Sequence, residues 1–566
     1  MKSLIKYIKI TAVLALVIFM TNSCTEDFDE MNTNKSLVTE DVLNTDLLLT
    51  YVEHQAFIIG ASSGAGTDGN WPGMSVSDAN LPFHQEANTG IWNSVYSTYA
   101  RNLADLIRIL ENKDAESGTS ENANRIAIAR ILKAYFFSRL TDAYGDVPYF
   151  ESCLPQEEVV YAPKYDTQKS IYEDLFKELK EAAAQLDEGN ESFTSADIIY
   201  GGDVVKWRKM ANSLRLRLAL NVRYVDPAMA TSNMSDLNES NLITSAEDNA
   251  FVMTANDFIQ NTNPNYNAQY SGLANVGTSL TKRLATKTMV DIWQLNGDPR
   301  LRLFADTAAA EWPGTAGYED VEFFGYRGHP LLGDVPVEEK YPWGAESSSR
   351  WSLHMYAPVW PQPIISSQEV YFALAEAALF SIKTGDVQDL YAKGVAEALK
   401  YAVRWHDITT PQLEEMFKLY KPDWTPEQVA DYAASHSVTL EDAAEFLTTS
   451  PVMTLTGSQE QQLEMIINQK IAGLYPTQTF EGWTEYRRTG YPRVQVGHDG
   501  DDLQGVSPRR FMWPDAEEEL NGANYDEALE RIGGKDEMLI KMWWDANPIG
   551  PHPHPDPIPT QDAPWV

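Results

Sequence analysis

A chain of 566 residues with 43% hydrophobic and 11% aromatic side chains can bury a large core. It exceeds what one compact core usually holds, which points to several packed units in one body. Its formal charge of −37, from 81 acids against 44 Lys and Arg, excludes a general nucleic-acid binder, because that needs a basic footprint to displace counterions from phosphate. The acidity reads as a solvated, self-repelling surface, while 27 Tyr, 20 Phe and 15 Trp are more aromatic surface than ordinary packing demands.

At the N-terminus Lys2, Lys6 and Lys9 lead into an apolar run from Ile10 to Met20, then Thr21-Asn22-Ser23 before Cys24. The run is too short for a bilayer, which takes roughly 20 apolar residues. Residues 1–23 therefore read as a cleaved export signal, with Cys24 where a lipoprotein signal places its lipidated cysteine. Thr21 stands where such signals usually carry Leu. Residues 24–39, opening with Glu26, Asp27, Asp29 and Glu30, read as an acidic tether. Cys153 is the other cysteine. No disulfide framework is expected, and Cys153 reads as a small packed residue.

Asp41 to Ile59 has helical spacing and ends in the glycine-rich stretch Ala61 to Gly73, which carries Trp71. Ile91 to Leu110 forms an apolar stripe with Trp92, Tyr96 and Tyr99. Ala127 to Tyr144 is apolar almost all round and predicts a buried spine helix, stopped by Gly145 and Pro148. Thr167 to Asp187 is amphipathic. Asp203 is placed to cap a helix bearing Arg208, Arg215, Arg217 and Arg223, which are expected to pair with carboxylates inside the protein. Ser366 and Glu369 have capping-box spacing ahead of Val370 to Lys383, and Gly385-Asp386 turns the chain into Leu390 to Trp405. A further helix is expected over Leu463 to Leu474. The Ala-rich helix, Gly-Asp stop and following helix occur twice, the grammar of tetratricopeptide-like pairs. Between them, 239–363 is rich in Gly, Pro, Asn and aromatics, including Trp312, Trp343, Trp351 and Trp360, and predicts an irregular functional lobe. The pattern divides the body 40–545 into a helical scaffold, 40–238 and 364–475, and an irregular lobe, mainly 239–363 and 476–545. A proline-punctuated tail follows at 546–566.

Catalytic constellations are scarce. Gly60-Ala61-Ser62-Ser63-Gly64 matches G-x-S-x-G but follows a helix, the wrong context for a nucleophile elbow. No zinc spacing occurs, and His498-Asp499-Gly500-Asp501-Asp502 lacks the alternation of a calcium loop. No cofactor motif and no metal site are expected. Binding chemistry is better supplied, because flat rings stack on sugars or peptide side chains and neighbouring polar groups fix orientation. Asp68, Asn70 and Trp71 form one such group; Trp343, Arg350, Trp351 and Tyr356 form a second.

The spine wording R-x-L-T-D-x-Y-G-D-V-P-Y resembles the signature of the SusD/RagB-like outer-membrane nutrient-binding lipoproteins. The resemblance extends to YDTQKSIYEDLFKEL from Tyr165, GDVVKWRKMANSLRLRLAL from Gly202, GDPRL at Gly297 to Leu301, SSQEVYFALAEAAL, EGWTEYRRTGYP at Glu481 to Pro492, and WWD at Trp543 to Asp545. It implies a mainly α fold with tetratricopeptide-like helix pairs supporting a loop-rich ligand lobe. It further implies a lipid-anchored protein facing outward from the outer membrane, which lids a SusC-like TonB-dependent transporter and delivers oligosaccharides or oligopeptides. The motifs fall mostly on predicted helices and are assigned to scaffold and transporter contact. A surface glycan hydrolase and a protein-binding tetratricopeptide scaffold are the competing readings.

Overall fold

The spine forms where the apolar pattern places it. Ala123–Tyr144 is one helix whose side chains are buried around nearly the whole circumference, because the next two helices and an aromatic layer close over it. It ends as Gly145 takes φ 83° and ψ −121°, a positive-φ conformation that glycine adopts without a Cβ penalty. Thr141 ties the stop from both sides, its carbonyl accepting from the Gly145 N–H at 2.8 Å and its hydroxyl donating to the Gly145 carbonyl at 2.7 Å.

The structure is a computed structural model that describes residues 44–60, 71–74, 76–77, 89–155, 158–264, 266, 283–307, 325–329, 331, 348–420, 423–494, 503, 506–550 and 552. The chain divides into a unit ending at Thr45 and a unit from Asp46 to Val566, and the second holds the scaffold and the lobe. The expected signal, Cys24, the tether, the 498–502 acidic run and most of the tail lie outside the described residues.

The scaffold helices are α1 (Thr45–His54), α2 (Ala100–Ser117), α3 (Ala123–Tyr144), α4 (Gln168–Gln185), α5 (Val204–Asn221), α6 (Ser367–Leu379), α7 (Val387–Thr409), α8 (Gln459–Leu474) and α9 (Thr479–Thr489). Consecutive members pack as pairs, α2 on α3, α3 on α4, α4 on α5, and α6 on both α7 and α8, so the expected tetratricopeptide-like pairing is present. Thr167 caps α4 by accepting from the Ser170 N–H, and Asp203 caps α5 by accepting from Val205 and Lys206. The expected capping box at Ser366 does not form. Ser366 makes no side-chain cap bond, and the Glu369 carboxylate turns instead to Arg217, accepting at 2.5 and 2.7 Å. A charge-assisted pair in a water-poor interior outweighs one cap bond.

Among the described residues six short strands pair two by two: β1 (Val76–Ser77) with β5 (Arg283–Leu284), β2 (Val147–Pro148) with β3 (Tyr165–Asp166), and β4 (Ala250–Met253) with β6 (Pro361–Ile365), all antiparallel. Within the predicted irregular lobe β4, β5 and β6 are interspersed with short helices at Lys287–Gln294 and Arg300–Phe304. The surplus aromatics find their use here. Trp293, Phe304, Trp351, Tyr356, Trp360, Trp405 and Tyr475 join a second buried cluster, distinct from the cluster around the spine. Trp360 and Trp405 meet edge to face at 4.7 Å and Trp293 and Tyr475 at 4.9 Å, geometries that favour the ring quadrupoles. Trp405 comes from α7 and Tyr475 follows α8, so the lobe is keyed onto the scaffold through rings.

Candidate functional site

Thr286 joins the glycine-rich loop to the irregular insertion. Its hydroxyl donates to the Gly73 carbonyl at 2.5 Å and accepts from the Met289 N–H at 3.2 Å. One side chain thus caps the Lys287–Gln294 helix and anchors the loop that carries Trp71. Around it runs a small backbone lattice. Leu284 in β5 bridges antiparallel to Arg350, Thr286 bridges parallel to His329, and Ala305 bridges antiparallel to Trp351. The Ala285 N–H donates to Ser349 at 2.9 Å, and Asp306 N–H donates to Arg350 at 2.8 Å. Gly328 permits the closest approach, since a Cβ there would stand 2.3 Å from the Lys287 Cα. Through this lattice two loop groups some 280 residues apart in sequence share one frame.

The candidate residues fall into two classes. Asp68, Asn70 and Trp343 lie outside the described residues. Trp71, Arg350, Trp351 and Tyr356 are buried, with relative exposures of 3%, 5%, 3% and 1%. Trp71 packs between Trp483 and Phe511, with ring centroids 4.7 and 5.0 Å away. Trp351 lies 6.4 Å from Tyr356 and 6.4 Å from Tyr475. The structure therefore brings Arg350, Trp351 and Tyr356 together and sets Trp71 in a neighbouring aromatic layer. A ring that stacks on a ligand needs an open face. Trp71, Trp351 and Tyr356 pack against other rings, and a ligand contact for any of the four is a proposal.

The residues that carried the family-like wording meet elsewhere, in the middle of the scaffold. Arg139 of α3 pairs with Glu481 of α9 at 2.5 Å; Arg217 of α5 reaches Glu369 of α6 at 2.5 Å and Glu481 at 3.5 Å. Arg223 and Arg488 both pair with the fully buried Glu376, at 2.7 and 2.5 Å. Glu485 takes Lys470 at 2.7 Å and, on its other oxygen, Arg488. Burial alone raises Glu376, but Arg488 and Arg223 beside it win and hold it down to about 2. Asp142 goes the other way. Burial pushes it up to about 6 against hydrogen bonds from Tyr172 and Trp544. A cavity of about 20 Å³ inside this network, bordered by Ser138, Arg139, Asp142 and Arg217, has room for one water.

Arg215, like Arg217 and Arg223, pairs with a carboxylate, Asp236 at 2.6 Å, whereas Arg208 donates to the Ala183 and Leu186 carbonyls at 3.3 and 2.6 Å and reaches the exposed Glu188 only at 4.0 Å. The partners themselves were not readable from the sequence, since Glu369, Glu376 and Glu481 stand more than 150 residues from Arg217 and Arg223. Among the described residues no group of three or more His, Cys, Asp or Glu stands close enough to hold a metal ion. No described helix is long and apolar enough to cross a membrane.

The SusD-like family model, described as starch-binding and associating with the outer membrane, matches residues 70–514. The match takes in Trp71, the 239–363 part of the irregular lobe and the ion network. Among solved structures a chitin-binding protein is 25% identical, with a TM-score of 0.69 over 89% of this chain and 100% of its own. A SusD homologue from Bacteroides fragilis is 22% identical, with a TM-score of 0.69 over 89% of this chain and 100% of its own. A chitin-binding SusD homologue from Flavobacterium johnsoniae is 22% identical, with a TM-score of 0.59 over 89% and 97%. The last two are likenesses of fold. No curated protein matches.

Proposed function

The chain belongs to the SusD-like family, and from that premise we propose that it captures neutral oligosaccharides at the cell surface and delivers them to a TonB-dependent outer-membrane transporter that it lids. The observation that carries this reading is the family match across residues 70–514, which takes in Asn70, Trp71, the second loop group and the frame that joins them. Chitin binding by the 25% identical structure supports a glycan as the ligand class. A formal charge of −37 repels polyanions and so favours neutral glycans over sulfated ones.

In this reading the protein is a binder and not an enzyme, tethered to the outer membrane through an acyl chain on Cys24 and facing outward. Asp68, Asn70 and Trp343 contact the ligand, with Trp343 supplying the stacking face. Arg350, Trp351, Tyr356 and Trp71 fix the loops on which that surface is displayed.

Calorimetric titration of the full chain with maltotriose, cellotriose and triacetylchitotriose, beside tripeptides, tests the ligand class. Binding of a trisaccharide that weakens at least about tenfold, ~1.4 kcal/mol, in Trp343→Ala supports the reading. Binding of peptides alone moves the ligand class to oligopeptides. Mass spectrometry of the membrane-extracted protein tests the partner, and a preparation with no barrel transporter counts against the lid.

A further inference from the structure

Beyond the spine's Gly145 stop the chain makes a loop between β2 and β3, and beside that loop lies a cleft of about 270 Å³. Trp92 and Cys153 have the sequence setting of packing residues, yet both line this cleft. Its apolar lining includes Trp92, Leu154, Val159 and Val160. The polar lining includes Arg101, Glu151 and Glu517, each already held in place from one side. Arg101 donates from Nη1 to the Leu154 carbonyl at 2.9 Å. Glu151 accepts the Lys164 N–H at 3.0 Å, and Glu517 accepts the Tyr165 hydroxyl at 2.7 Å, both on Oε2. Oε1 of each carboxylate is left for another donor.

The loop is fixed rather than slack. Tyr96 donates its hydroxyl to the Pro148 carbonyl at 2.5 Å, Ser152 donates to the Tyr149 carbonyl at 2.8 Å, and Cys153 sits at φ 55°, a conformation uncommon outside glycine. On the same loop Tyr161 is 92% exposed and Phe150 50% exposed. They are chain neighbours of Val160 and Glu151, and the fold uses neither ring face fully.

From this combination we infer that the cleft is a second ligand site, separate from the Trp343 loops, which takes one terminal ring of a neutral oligosaccharide. The inference rests on the glycan reading above and adds a second point of attachment to it. A sugar ring presents hydroxyl edges and C–H faces, matching carboxylate and guanidinium groups on one part of the lining and valine, leucine and tryptophan on another. A wholly apolar ligand would desolvate Oε1 of Glu151 and of Glu517 without giving either oxygen a donor. An anionic ligand would meet two carboxylates against one arginine. The volume falls below the ~300 Å³ at which clefts admit larger ligands, so one ring enters and the chain runs out past Val160, where the open face of Tyr161 can stack on the next ring. Two weak sites on one body raise the effective concentration of a long glycan at each.

The thiol of Cys153 reports occupancy. Full-length protein is alkylated with iodoacetamide at alkaline pH, alone and with maltotriose, cellotriose or triacetylchitotriose, and Cys153 modification is followed by mass spectrometry. The expected result is slowing of about tenfold at ten times Kd, by mass action, with one of the three sugars. The slowing persists in Trp343→Ala and is lost in Glu151→Gln/Glu517→Gln, whose melting temperature and sugar-free alkylation rate stay those of the parent. Trisaccharide binding by calorimetry with no change in Cys153 alkylation overturns the cleft and leaves the proposed function standing. No binding of any trisaccharide, by calorimetry or protection, overturns the glycan reading and the cleft with it.

Discussion

Replacing Glu376 with Gln removes the charge on which two buried arginines converge. Glu376 has no solvent exposure, and the Arg488 side chain that meets it at 2.5 Å has none either. Removing one partner of such a pair leaves the other charge buried and uncompensated, which costs about 3–5 kcal/mol; here Arg488 keeps Glu485, which argues for the lower end. Taking ~2.1 cal/mol/K per residue for the unfolding entropy, the Asp46–Val566 unit has an entropy of about 1 kcal/mol/K. The expected loss in Tm for Glu376→Gln at pH 7 is therefore about 3 °C. The sign with pH is set by the depressed pKa, about 2 folded against 4.5 normally. The carboxylate's contribution is complete above pH 4.5 and is lost as pH falls towards 2. Calorimetric melts of the two proteins should thus converge as pH drops through that window. A variant within 1 °C of the parent at pH 7, or a gap that stays constant down to pH 3, refutes this account of the network.

Glu53 should show the opposite pH dependence. It is fully buried, and burial followed by the nearby Asp197 raises its pKa well above 4.5, so its contribution is present below pH 4.5 and lost as pH rises through the folded value. Glu53→Gln keeps an acceptor for the Ile198 N–H and should melt closer to, or above, the parent at pH 8 than at pH 4; parallel Tm curves would sink the idea. Trp71→Ala removes a ring at the Trp483–Phe511 contact and should cost about 3–5 kcal/mol in denaturant unfolding, whereas Trp343→Ala should lose affinity with its unfolding midpoint unchanged. Gly202→Ala places a Cβ 1.5 Å from the Phe193 carbonyl oxygen at φ 81°, and expression without soluble folded protein is the expected outcome; a normal melt would count against the backbone placement.

The helices were legible because their information is local. The spine's apolar circumference, the Thr167 and Asp203 caps and the amphipathic stripe of α4 are written within a turn or two of where they act. The arginines of α5 were legible as charges needing partners, since burying an unpaired guanidinium is prohibitive. Which acids would serve was not, because that depends on contacts between helices far apart in the chain. Ser366 shows the limit plainly. Its spacing to Glu369 satisfies the capping-box rule, but Arg217, 152 residues away, competes for the same carboxylate and wins. The burial of loop aromatics was not legible for a related reason. Trp71 and Trp351 sit in glycine- and proline-rich sequence that suggests a surface, yet Trp483 and Tyr475 cover them, and nothing local announces that cover.

The chemistry of the two regions suits the division of labour proposed for them. Glu369, Glu376, Glu481 and Glu485 tie α3, α5, α6, α8 and α9 through charge pairs whose geometry tolerates little displacement. The loop groups, by contrast, are held by ring packing and by single backbone bonds around Thr286. Ring contacts of about 0.5–1.5 kcal/mol each tolerate rearrangement better than buried ion pairs. The proposed role, docking on a transporter while offering a surface to glycans, benefits from that contrast, because the loops can adjust around a stationary core. Thr286→Ala, which removes the hydroxyl between Gly73 and Met289, should accordingly weaken trisaccharide binding more than it lowers Tm. Equal loss of both in Thr286→Ala would mean that loop and scaffold unfold as one unit.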